Sequence, residues 1–231
     1  MYPGYYGIDP TYVLVIIAFL FTMFASFGVK NTFHKYNEVY SRRGLTASET
    51  ARKILDANGL YNIMVERVSG ELTDHFSPKE SVIRLSDSTY NSTSVAAIGV
   101  AAHECGHAVQ HQVGYVPIKI RNSIVPLVNI GNTLSMPVFI IGLILGIGPL
   151  AMAGAILFGL VFLFQVVTLP TEINASRRAM KTLEDMSLLD DEELKGARKT
   201  LTAAAMTYVA AVASTALQFL RLVMLANRRR R

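Results

Sequence analysis

Charge is what this chain has least of. Of its 231 residues, 17% are charged, 51% are hydrophobic, and the mean hydropathy is +0.34. A soluble domain carries about 25% charged residues. The deficit is gathered into blocks: no charged residue occurs from Tyr12 to Val29 or from Ser123 to Leu169. That pattern argues against an ordinary soluble domain and reads as membrane spans. Cysteine is almost missing too. With Cys105 alone, no intramolecular disulfide framework exists, which fits a reducing compartment. Basic stripes with interleaved aromatics are lacking, as are nucleic-acid-binding motifs. The net charge of +5 therefore does not point to nucleic acid. The basic run Asn227–Arg231 reads instead as a contact with anionic membrane lipids. No positive charge precedes the first apolar run, so the signal-peptide pattern is not met.

What is present falls into five segments. Residues 1–29 read as an N-terminal transmembrane anchor, with Tyr2, Tyr5, Tyr6 and Tyr12 as an interfacial aromatic belt. Lys30 and Lys35 place its C-terminal end in the cytoplasm by the positive-inside rule. Residues 30–122 are polar enough for a soluble catalytic region. There "TASE", Thr46 to Glu49, is a capping-box pattern that starts a helix reaching Ala57, with Gly59 as its stop. Residues 61–68 and 81–86 read as strands with a loop between them. A further helix is expected from Ser92–Ser94 to Val113, closed by Gly114 and Pro117. Residues 123–169 read as a transmembrane hairpin, spans 124–145 and 150–169, turning at "GIGP". Residues 170–200 are charged, with a helix expected to open after Pro170. Residues 201–231 form an Ala-rich helix with a basic tail. Parity argues that a fourth span would put Arg228–Arg231 outside, so either this last helix does not cross or the whole orientation is reversed; the first is favoured. It is expected to pack on the catalytic unit or lie partly in the membrane.

The chemistry sits in "VAAHECGHAVQHQ", residues 100–112. His103 and His107 share one helical face and can bind one metal ion. Glu104 can reach a water on that ion, so H-E-x-x-H supplies two zinc ligands and a general base. A bare match also occurs in ordinary helices. A catalytic zinc site needs a third protein ligand and an open position. Glu172 is the candidate, although a carboxylate at a helix N-terminus has its own reason to be there. Glu184, Glu192 and Glu193 sit in a run that reads as a solvated face. His111 reads as a surface histidine near the helix end, His75 as solvated, and Cys105 as a packed residue facing away. Tyr208 and Arg221 are candidates for oxyanion stabilisation.

"AAHECGHAVQH", a membrane hairpin and then "EINAS" together resemble the YugP-type neutral zinc metallopeptidases of bacterial membranes. More distantly, the chain is similar to the HtpX and CAAX-prenyl endopeptidase group. The resemblance spans essentially the whole chain. It implies a mainly α integral membrane protein with transmembrane helices and a small α+β zincin-like (gluzincin) catalytic region. It implies Zn²⁺ held by His103, His107 and Glu172, with Glu104 as catalytic base. It also implies a multi-pass protein of the bacterial cytoplasmic membrane, its active site facing the cytoplasm. Protein or peptide substrates are expected, membrane proteins among them. The distant group has an aspartate four residues after the ligand glutamate. Ser176 stands there, an uncharged acceptor, and Asn174 is nearby. The family reading also suggests that strand 81–86 offers an edge to an extended peptide. The competing reading is a non-hydrolytic membrane protein that binds metal or partners, which has no need of a base at Glu104. A transporter is disfavoured by the scarcity of intramembrane ionisable groups. Neither oligomeric state nor natural substrate is encoded legibly.

Overall fold

The computed structural model describes residues 9–228. Tyr2, Tyr5, Tyr6 and Arg229–Arg231, named above as belt and tail, lie outside the described residues. Six helices and three strands follow one another: α1 Tyr12–Asn37, α2 Ala47–Ala57, β1 Met64–Val68, β2 His75–Ser77, β3 Val82–Ser86, α3 Val95–Gln112, α4 Val116–Ile144, α5 Gly148–Asp185 and α6 Asp191–Arg228. By length and composition α1, α4, α5 and α6 are each able to cross a membrane. The chain divides into two compact units.

The apolar unit takes Ser123–Val167 with the stretches up to Ala25 and from Val209 onward. α4 and α5 form the expected hairpin. Gly146, at φ +68°, makes the turn that a residue with a Cβ would resist. Small residues bring the two backbones together. A Cβ on Gly142 would strike the backbone of Ala151, and one on Gly154 the backbone of Phe139. Phe139, Ala151, Ala155, Leu222 and Ala226 form this unit's core. Along α1, α6 runs antiparallel. The hydroxyls of Thr22 and Ser214 are 2.7 Å apart, the Arg221 guanidinium lies 4.6 Å from the Tyr12 ring centre, and Arg228 meets Asp9 at 2.9 Å.

The second unit comprises Ser26–Asn122 and Thr168–Tyr208. Its sheet has the order β1-β3-β2, with β3 parallel to β1 and antiparallel to β2. The core lies between α3 and its neighbours. Ile98, Ala101, Ala102 and Cys105 of α3 meet Ala51, Ile54 and Leu55 of α2, Ile83 and Leu85 of β3, and Leu183 of α5. The Thr46 capping box is present: its side chain accepts from the Glu49 amide while its own amide donates to Glu49.

Three expectations are corrected. The loop expected between the first two strand segments contains β2. β3 is therefore the central strand and has no free edge; β1 and β2 are the edges. No new helix opens after Pro170, because α5 continues through it to Asp185. Proline removes one amide donor, but spans tolerate this where surrounding groups compensate. Nor is the Ala-rich segment a separate helix; it is the latter part of α6, which starts at Asp191 behind the Asp190 side chain. At 38 residues each, α5 and α6 are about 57 Å long by the 1.5 Å rise per residue. A bilayer core takes up about 30 Å of that.

Candidate metal centre

α3 begins at Ser94, whose hydroxyl accepts from the Ala97 amide at 3.2 Å. It ends at Gly114, φ +63°, where the Tyr115 amide reaches back to the Gln110 carbonyl. Between these caps its small residues face the core and its histidines face the opposite way. Glycine inside this helix has a packing reason. A Cβ on Gly106 would lie 2.6 Å from the Ala175 carbonyl oxygen, so α3 and α5 touch backbone to backbone there. Glu172 stands one turn before that contact.

His103, His107 and Glu172 converge, with one donor atom from each lying within 4.8 Å of the others. Both imidazole Nε2 atoms are 3.3 Å from Glu172 Oε2. A charge-assisted hydrogen bond would be shorter, about 2.7–2.9 Å. Donors held about 2.0–2.1 Å from a tetrahedral zinc ion stand roughly 3.3–3.4 Å apart. The spacing and the donor set therefore fit Zn²⁺. The electrostatics agree. Burial alone would push the His107 imidazole down, but the neighbouring Glu172 and Glu104 carboxylates raise it above the ordinary value. Before any ion binds, the pocket already favours positive charge.

Each imidazole is held from behind by an uncharged group. His103 Nδ1 is 3.0 Å from Ser176 Oγ, the position where the distant relatives have aspartate. His107 Nδ1 is 3.0 Å from Gln110 Oε1. The direction of that second bond is set from a distance. Arg178 can only donate, and its Nε is 2.8 Å from Asn174 Oδ1. Asn174 Oδ1 also receives Gln110 Nε2 at 3.0 Å, and Gln110 Nε2 donates to the Thr171 carbonyl at 2.8 Å. The Gln110 amide is thus oriented with its oxygen toward His107. That oxygen accepts, so Nδ1 carries the hydrogen and Nε2 keeps its lone pair for a metal.

Two connected cavities open on the cluster, of about 210 and 140 Å³. Both are lined by Asp74, His103, Glu104, Glu172 and Tyr208. Glu104 is 8% exposed and faces the space beside the ligands. Tyr208 lines both cavities beside Glu172. Asp74 is occupied elsewhere: it accepts from the Ser86 amide at 2.8 Å and the Ser86 hydroxyl at 3.0 Å, tying the start of β2 to the end of β3. Other candidates fall away. Glu184 is exposed, Glu192 pairs with Lys195, and Glu193 caps α6 and accepts from the Arg42 amide. His111 is exposed and edge-on to Phe76. His75 is exposed on β2 rather than in a loop, at the rim of the larger cavity. Cys105 is fully buried against the Ala51 carbonyl, and burial pushes its thiol up. Arg221 belongs to the apolar unit, over Tyr12. Sequence reasoning missed Gly106, Gln110, Arg178 and Arg121, the last of which lines the larger cavity. Gln110 was findable, being three residues after His107 and so on the same helical face.

A His–His–Glu cluster that could hold a metal ion, in a chain with four helices of membrane-spanning length among the described residues, defines a candidate membrane metalloprotein. The chain belongs to the family described as "Putative neutral zinc metallopeptidase", whose profile matches residues 11–227. It is 44% identical over 212 residues to the "Putative membrane protease YugP" of Bacillus subtilis (strain 168), covering 92% of this chain and 94% of that relative. No solved structure matches it significantly.

Proposed function

We propose that the protein is a multi-pass membrane endopeptidase in which His103, His107 and Glu172 hold Zn²⁺ and Glu104 is the general base. The observation that carries this reading is the 3.3 Å convergence of both imidazoles on one Glu172 oxygen with Glu104 in the same cavity. Zinc supplies Lewis-acid chemistry, acidifying a water and polarising the scissile carbonyl. Glu104 accepts the proton of the attacking water and returns it to the leaving amine. Gln110 keeps the His107 imidazole in the ligating tautomer, and Ser176 holds the His103 ring from behind. The substrate lies extended beside β2, the edge strand whose residues line the larger cavity. Its substrates are protein or peptide chains presented at the membrane.

We read α6 as a fourth crossing. It runs antiparallel along α1, with Ser214 against Thr22 and Arg221 over Tyr12, and its Arg228 pairs with Asp9 just before α1. That pairing offsets part of the cost of a basic residue on the far side. Lys30 and Lys35, together with the catalytic residues, then face the cytoplasm.

The test is Glu104→Gln. The variant keeps zinc stoichiometry and loses about 10²–10⁴-fold in cleavage of an unfolded protein substrate. Zinc-loaded wild type that binds the metal and cleaves nothing would instead favour the non-hydrolytic metal-binding protein.

A further inference from the structure

The two cavities share His103, Glu104 and Glu172, but only the larger reaches His107, and their other walls differ. The larger continues over His75, Arg121 and Asn122. The smaller is closed by Leu72, Val100, Leu201, Ala204 and Ala205. We propose that this smaller cavity is a selectivity pocket that admits one uncharged apolar side chain of leucine to phenylalanine size, from the residue next to the scissile bond. The inference rests on the peptidase reading and names the substrate class of the same site.

Its size fits. At about 140 Å³ it is comparable to an apolar cavity of about 150 Å³ that takes up benzene. The space exists because two of its wall residues are alanines. Ala204 and Ala205 sit on α6 one turn before Tyr208, and Val100 sits on α3 one turn before His103. The pocket floor is thus built on the same two helices that carry Tyr208 and the ligand histidines. Leu72, before β2, is held at φ +55°, in the left-handed region that a residue with a side chain rarely adopts. That conformation is a local cost, and it is found where the chain closes the pocket.

Its polarity fits as well. Most polar groups in the wall outside the reacting centre already have a partner. The Asp74 carboxylate is bound by Ser86 and Thr89, and the Ser176 hydroxyl by His103. A carboxylate side chain entering here would lose its water and meet the Asp74 and Glu104 carboxylates, and an amide would find most polar groups already engaged. An apolar one loses nothing and removes its surface from water.

The experiment uses the full-length, zinc-loaded protein in detergent and a peptide series varied at one position through Gly, Ala, Leu, Phe, Asp and Lys. Cleavage sites are mapped by mass spectrometry. Leu and Phe are expected to exceed Ala by at least roughly tenfold in kcat/KM, since even one methylene is worth about that much in a shaped pocket. Asp falls below Gly, and Lys does not exceed Leu. Ala204→Phe fills the cavity, so the Leu-to-Ala ratio collapses toward one. Val100→Ala enlarges it and moves the optimum toward Phe, which guards against misfolding of the first variant. Zinc content of both variants is measured alongside. Cleavage with no positional preference, or a preference that neither variant changes, overturns the pocket and leaves the peptidase reading standing. If wild type cleaves nothing, that reading fails, and the pocket is judged on binding. Leu peptides binding zinc-loaded Glu104→Gln more tightly than Asp peptides, with the difference lost in Ala204→Phe, sustain it. Equal binding overturns it.

Discussion

Replacing Gln110 separates ligand orientation from ligand identity. The side chain is fully buried and makes three hydrogen bonds: one accepted from His107 at 3.0 Å and two donated, to Thr171 and Asn174. Gln110→Leu keeps the volume and removes all three. His107 then loses the acceptor that keeps hydrogen on Nδ1, and part of the population presents the wrong tautomer to the metal. Loss of such an outer partner lowers metal affinity by about 10–100-fold, or roughly 1.4–2.8 kcal/mol. Removing the Gln110 amide also takes buried hydrogen bonds away from the α3–α5 contact, which lowers fold stability by about 1–3 kcal/mol. Gln110→Glu makes the contrast. It keeps an acceptor toward His107, now charged, but turns an oxygen toward two other oxygens. Zinc affinity should be retained or raised while thermal stability falls. Chelator competition gives the zinc Kd, and the visible spectrum of the Co²⁺-substituted protein reports coordination directly. Wild-type zinc affinity and an unchanged Co²⁺ spectrum in Gln110→Leu would refute the relay from Arg178 to His107.

Two further outcomes follow from the geometry. Gly106→Ala places a Cβ 2.6 Å from the Ala175 carbonyl, which neither backbone can yield cheaply. α3 and α5 are expected to part, with overpacking costing about 1–3 kcal/mol in thermal unfolding, and zinc stoichiometry drops because Glu172 recedes. The pH dependence has a defined sign. His107 is raised above its ordinary 6.5, and protonation competes with the metal. Zinc affinity, titrated between pH 8 and 5.5, should therefore begin to fall above pH 6.5, earlier than for a free imidazole. In the metal-free protein the same shift works the other way. Stability from protonated His107 is full below 6.5 and is lost as pH rises through the raised value.

How much of this was legible is best judged residue by residue. The His103–Glu104–His107 spacing, the Thr46 cap and the long uncharged runs are local signals, written in adjacent residues and read from helical periodicity alone. β2 was not legible because it has three residues and one apolar side chain, Phe76, too few for an alternation to show. Its pairing with β3 is held by Asp74, a long-range contact. Pro170 signals a break, and the helix continues because what decides is the packing of Thr171 and Ala175, both fully buried, against surroundings no local window contains. The orientation of Gln110 was out of reach for the same reason, since it depends on Arg178, 68 positions away. Parity counting treats Arg228 alone, and its pairing with Asp9, 219 positions away, is a long-range contact that no charge rule contains.

The Gly106 contact and the ligand set lead to one last point. His103 and Glu172 are 69 positions apart, on separate helices. An ion gripped by both is a cross-link, fastening a long loop at its neck and removing the freedom its ends would have when unfolded. With a lone, inaccessible cysteine, this chain has no sulfur bridge to do that. Stripping the ion would therefore remove a fastener as well as a reagent.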